Sequence, residues 1–229
     1  HFEFKEDDHD NREKTFLGET GNFNGEDIVE IICKQEATAR FISRHMYHFF
    51  VADEPPVPQW PHVEPQDPAA IRQLVDAYFS SNYSIKEMLR TLFKSDFFKS
   101  EEVRYKRVKG PAELMTGVLR LSGHLARPRR EMLTHALRMN FMGQMLHNPP
   151  SVEGWRTGME WVDTGNLVER INFVADQVGN RDLPGVKLIV DRLSSDSSVM
   201  SSEKFVDGCL DLIGPVEVGE ATRTSLIEH

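Results

Sequence analysis

Apolar residues recur every three or four positions through most of this chain, the spacing that lines one face of an α-helix. In residues 26–34 the stripe is Ile28, Ile31 and Ile32, and in residues 36–52 it is Ala39, Ile42, Met46, Phe49 and Phe50. Asp67-Pro68 opens a third helix, with Asp as N-cap, Pro in the first turn and Ile71, Leu74, Val75, Tyr78 and Phe79 on one face. Ser84 and Glu87 have capping-box spacing ahead of Ile85, Met88, Leu89, Leu92 and Phe93. Further stripes follow as Leu114, Met115, Val118 and Leu119, then Leu133, Leu137, Phe141 and Met145, then Leu167, Ile171, Val174 and Val178. Shorter helices are expected over residues 184–193 and 202–213, and a last one over 217–229.

The polar interruptions are equally specific. Residues 53–66 are rich in proline, hold Trp60 and read as a loop. Residues 2–4 and 15–17 are short alternating pieces around a polar turn, which predicts a small N-terminal β-hairpin. Between the sixth and seventh stripes stands HNPPSVEGWRTGMEWVDTGNLVERINF, residues 147–173. Pro149-Pro150 stops the preceding helix, since proline lacks an N–H and clashes with the turn before it. Gly154 and Gly158 permit tight turns beside Trp155 and Trp161, and Asp163 or Thr164 caps the next helix. Rings of that size anchor an irregular segment by burial, and a segment so held can also wall a cleft. The expected fold is all-α: helical hairpins in a multi-helix bundle with one small hairpin, residues 1–180 forming the core and 181–229 a helical tail packed on it.

Composition narrows the function classes. With 39% hydrophobic and 28% charged residues, the 229-residue chain can bury a substantial core. No apolar run reaches the ~20 residues a membrane span needs. The net charge of −9 conceals an asymmetry: residues 1–89 carry 8 Lys and Arg against 17 Asp and Glu, while residues 90–138 carry 12 against 5. That basic block (Arg104, Lys106, Arg107, Lys109, Arg127, Arg129 and Arg130) is expected to face the acidic first third of the same fold. It lacks interleaved aromatics, so nucleic-acid binding is not expected. Cys33 and Cys209 sit on apolar faces as free thiols. The chain begins without Met and stops on a helix, which is the look of a fragment.

Candidate chemistry is sparse. His45 and His48 lie three apart on one helix, but no third ligand accompanies them, and His45 is expected in the core, bonded to backbone. His9-Asp10 has the composition of a general-base pair and equally of a local turn. Residues 20–25 suggest a calcium loop only superficially, because the twelfth position is Ile31 instead of a carboxylate. No P-loop, Rossmann or nucleophile-elbow pattern is present, and no metal or cofactor is expected.

Several stretches together carry a resemblance. Pro150, Val152, Gly154, Trp155, Gly158, Trp161, Leu167 and Arg170 fit the signature of the bacterial domain-of-unknown-function 1800 family. HDNREKTFLG, NGEDIVEIICKQEATARFISRHMYHFFV and KRVKGPAELMTGVLR resemble its other segments in the same order, from about His9 to Val178. The resemblance implies the C-terminal half of a larger, mostly helical protein with export or periplasmic localisation. It also implies a possible partner, the product of a neighbouring gene from an uncharacterised sulfatase- or phosphatase-like family. The family supplies no catalytic residues. The expected role is therefore an interaction or scaffold module of an exported protein. The alternative is a hydrolase acting on an extracellular polymer or ester, drawing on His9, Asp10, Lys14, His45 and Glu113, with Trp155, Trp161 and Arg170 as cleft wall.

Overall fold

The helices form where the apolar periodicity puts them. The computed structural model describes residues 3–124, 130–194, 200–214 and 216–229. Among them are eleven α-helices and one two-stranded hairpin, so the fold is mainly α. The hairpin lies further along the chain than expected. β1 (Lys14–Phe16) pairs antiparallel with β2 (Glu19–Gly21), Lys14 opposite Gly21 and Phe16 opposite Glu19. Leu17 and Gly18 make the turn with φ of 47° and 87°. Positive φ at both central residues matches the twist of paired strands, and glycine adopts it without strain. Within the expected hairpin turn, residues 6–13, Glu6–Asp8 is a 3₁₀ turn, and Phe4 joins no strand. Phe2 lies outside the described residues.

The chain divides into two compact units. The first comprises His1–Val108 with Arg156–Glu160, the second Lys109–Trp155 with Trp161–His229.

In the first unit, α1 (Gly25–Cys33) starts at Asn24, whose side chain accepts from the Glu26 and Asp27 amides. The Asp27 carboxylate accepts the Asn24 N–H in return. α2 (Glu36–Phe50) and α3 (Pro68–Ser80) pack as a hairpin, with α4 (Ile85–Lys94) against α3. Their shared core contains Ala39, Met46, Tyr47, Ile71, Leu74, Tyr78, Met88 and Leu92. Burying a side chain the size of Ile71, Leu74, Met88 or Leu92 contributes about 1.5–3 kcal/mol. The Tyr78 hydroxyl donates to the Cys33 carbonyl at 2.9 Å, joining α3 to α1, and burial first, then this bond, pushes its pKa up to about 12. Phe49 and Phe50 depart from the expected stripe. They stand exposed and stacked edge-on, while Ser43 and Arg44 take buried places on α2. Ser84 caps α4 by accepting the Glu87 amide, and the Glu87 carboxylate pairs with Arg90. α5 (Asp96–Lys99) closes the helical part of this unit.

The second unit holds α6 (Pro111–Leu121), α7 (Glu131–Phe141), α8 (Thr164–Val178), α9 (Pro184–Ser194), α10 (Ser202–Ile213) and α11 (Glu220–Glu228). Its buried cluster is Met115, Leu119, Met139, Met142 and Phe173. Here α7 is turned away from its expected orientation: Leu133, Leu137 and Phe141 are 72%, 60% and 70% exposed. The side facing α8 is set by Arg138, which donates to Glu169 at 2.7 Å and Asp176 at 3.0 Å and lies over the Phe173 ring. Satisfying that half-buried cation fixes the helix rotation, and the leucine stripe goes outward. On α8 the same shift buries Phe173 and Gln177 and exposes Leu167, Ile171 and Val178. The α9 start abuts the α6 end: the Gly185 N–H donates to the Ser122 carbonyl at 3.0 Å. A Cβ at Gly185 would lie 2.0 Å from the Leu121 carbonyl oxygen, so only glycine fits. α9, α10 and α11 share this unit with α6–α8. Both cysteines are free and partly buried, and burial pushes the Cys209 thiol up.

Candidate functional site

Backbone N–H groups of a 3₁₀ turn at Val57–Gln59 satisfy some carbonyls of the proline-rich loop between α2 and α3, and one buried side chain collects those of Trp60, Val63 and Glu64. Arg44, 5% exposed on α2, donates from Nη1 to the Val63 carbonyl (2.8 Å) and the Trp60 carbonyl (3.3 Å), and from Nη2 to the Glu64 carbonyl (3.2 Å). Its Nε and Nη2 also engage Oε2 of Glu54, itself 5% exposed, at 2.8 and 2.7 Å. The other Glu54 oxygen accepts the Gln66 amide at 2.9 Å, which ties the two ends of the loop together. Removing two charges from water is costly, and only a pair this fully bonded recovers the cost.

Aromatic rings complete the clamp. The Arg44 guanidinium lies 4.8 Å from the Trp60 ring centre, and His45 lies 4.5 Å from it, with Phe41 edge-on to His45 at 4.4 Å. The indole N–H donates to the Pro55 carbonyl at 2.7 Å. His45 was expected to bond to backbone. It stacks between rings, and His48 makes the backbone bond: its Nδ1 accepts the Glu54 amide at 2.9 Å. A nitrogen that accepts carries no proton, so the hydrogen sits on Nε2. Burial lowers the pKa of both histidines. Their mutual repulsion adds to this at His45; at His48, Arg107 reinforces it while Asp53 and Glu54 oppose it.

Beside this clamp runs an open groove. One hollow of about 810 Å³ is lined by Arg40, Phe41, Val57, Trp60, Pro61 and Glu64. It shares Arg40, Glu64 and Ile71 with a second hollow of about 660 Å³ bounded by Arg72, Val75, Asp76 and Phe79. Phe41 is 50% exposed in it, and Arg40 and Glu64 approach only to 3.9 Å. Their hydrogen-bonding capacity is thus largely unspent.

Of the residues singled out from sequence, His9, Asp10 and Lys14 share the hairpin region, each held locally. His9 bonds to Asn11 and the Phe23 carbonyl, and Lys14 donates to the Arg12 carbonyl and to Asn22. Asp10 is gripped by the Arg12 guanidinium and amide, which hold its carboxyl at about 2. His45 belongs to the ring stack. Glu113 and Arg170 do meet, in the second unit, on a single peptide group: Glu113 accepts the Gly110 N–H at 2.8 Å and Arg170 donates to the Lys109 carbonyl at 2.7 Å. Arg170 therefore ties α8 to the start of α6 instead of to the tryptophan loop. Trp161, 5% exposed, covers the same point, its Nε1 only 3.6 Å from where a Cβ on Gly110 would stand. Burial lowers the Arg170 pKa, and its Nη1 is buried without a partner. Trp155 is half-buried, donating to the Met145 carbonyl at 3.2 Å. Asp163 caps α8 through the Asn166 amide.

In the first unit, Gly158 packs against Asp53 with φ of 57°, where a Cβ would meet Asp53 at 3.2 Å. Asp53 in turn accepts the Val108 amide at 2.6 Å. Arg107 lies over the Phe49 ring and donates to the Phe49 carbonyl, so this member of the basic block faces the acidic third as expected. Arg104 pairs with nearby Glu101. Arg127 and Arg129 lie outside the described residues. Among the described residues no three His, Cys, Asp or Glu are grouped to hold a metal ion, and no helix is long and apolar enough to cross a membrane.

Sequence reasoning missed Arg44, Glu54 and His48 as a unit. The available signal was an acidic residue leading a proline-rich run whose carbonyls need donors, ten residues after an arginine on a helix. No curated protein and no solved structure matches the chain. The family comparison does: residues 1–229 match the model of the family described as "Protein of unknown function (DUF1800)", and the chain belongs to that family.

Proposed function

We propose that the chain is an interaction module of an exported bacterial protein, docking a partner in the groove walled by the proline-rich loop. One observation carries this reading. The candidate acids and bases His9, Asp10, Lys14 and Glu113 are engaged by neighbouring backbone and side chains, whereas Phe41, Arg40 and Glu64 face open space. A rigid wall with an exposed ring and unspent charged groups suits recognition. The neighbouring-gene product of the sulfatase- or phosphatase-like family is the partner to test, by calorimetry with the full chain. A complex that Phe41→Ser weakens about tenfold or more, a loss of about 1.4 kcal/mol, in a chain that circular dichroism shows still folded is the expected result. No complex, or one indifferent to Phe41→Ser, overturns the proposal. The second reading, a hydrolase, draws on Glu113 and Arg170 meeting at one peptide. Turnover of an ester or polysaccharide that Glu113→Gln abolishes in a folded chain would favour it.

A further inference from the structure

The bond between the Glu54 amide and His48 makes the proline-rich loop depend on one proton. A backbone N–H can be accepted only by an unprotonated imidazole nitrogen. Glu54 stands at the start of the proline-rich loop, just after α2 ends, and its carboxylate anchors Arg44 and the Gln66 amide. We propose that His48 is an acid-sensitive latch: a proton gained at its Nδ1 removes the acceptor for the Glu54 amide and loosens residues 54–66, the wall of the groove. Protonated His48 turns an N–H toward an N–H, leaving the Glu54 donor orphaned beside a buried ion pair.

The surroundings set the direction. On its own helix His48 faces His45; from the loop, Asp53 and Glu54; from the segment after α5, Arg107. Two carboxylates favour the proton, while burial, the larger influence, and Arg107 resist it. The folded pKa of His48 lies below its ordinary value of 6.5. The open loop therefore binds the proton more readily than the closed one. The latch is fully closed above about pH 7, and its contribution is lost as pH falls from about 6.5 through the lowered folded value.

Amide hydrogen exchange by NMR on the full chain, corrected for intrinsic rates, tests the latch without any ligand, so its outcome is independent of the docking proposal. Between about pH 7.5 and pH 5, protection at the Glu54 and Gln66 amides is expected to fall by clearly more than about twofold. Leu74 and Tyr78 in α3 should keep theirs. In His48→Asn the amide oxygen occupies the Nδ1 position, accepts the Glu54 N–H and does not titrate. That variant should flatten the dependence to within about twofold, while His45→Phe should retain it. Flat protection in the natural chain, or full pH dependence in His48→Asn, overturns the proposal. So does an imidazole ¹⁵N spectrum at neutral pH with the hydrogen on Nδ1, a readout that needs no variant to fold.

Discussion

The two units solve the same problem with different materials. In the first, a run of apolar and aromatic side chains from α2, α3 and α4 forms one core, and a buried arginine organises the loop beside it. In the second, the buried cluster is smaller and methionine-rich, and an arginine on α7 bridges two carboxylates at the helix seam. Both arginines satisfy acceptors that no regular ladder reaches, but Arg44 is buried and Arg138 only half so. The difference teaches where polar groups set structure. Arg44 gives a loop its shape; Arg138 decides which side of a helix meets the core, at the expense of a leucine stripe left in the open.

Substitutions separate the roles of the two arginine sites. The largest effect belongs to the first unit: Glu54→Ala strands Arg44 without its countercharge and should cost roughly 3–5 kcal/mol in urea unfolding. A loss under about 1 kcal/mol would mean that water reaches Arg44 and that the loop is not held by the pair. In the second unit Arg170→Ala removes one charged hydrogen bond at a half-buried site, and a loss of about 1–2 kcal/mol is expected, seen as a lower melting temperature. An unchanged melting temperature would show the Lys109 carbonyl equally well served by water. Smallest of all, Leu133→Ser and Leu137→Ser should each change stability by about 0.5 kcal/mol or less, since both already face solvent. A cost above about 2 kcal/mol would place that face against other protein and undo the contrast drawn here.

Most helices were legible because the α-helical period repeats the same demand every turn. α8 spans Thr164–Val178 as its stripe indicates, and Asn24, Asp67 and Asp163 cap where short polar side chains precede apolar runs. Strand pairing was less legible. Residues 2–4 and 15–17 were expected to pair, but Leu17 and Gly18, with positive φ, form a turn that closes β1 onto β2 directly. For the candidate site, Trp60, His45, Glu113 and Arg170 stand out as residue types, but their partners do not. Arg44 reaches Val63 and Glu64 across about twenty positions of chain, and Arg170 reaches Lys109 across 61.

By itself the sequence determined the mainly helical character, most helix boundaries and their caps, because those rest on contacts within a few residues. Tertiary structure alone decided which stripe turns inward, which histidine takes the backbone bond and where the buried arginine spends its donors. The physical reason is that a helix with apolar residues on more than one side has several acceptable rotations. The choice among them is made by the few buried charges that must find partners far along the chain.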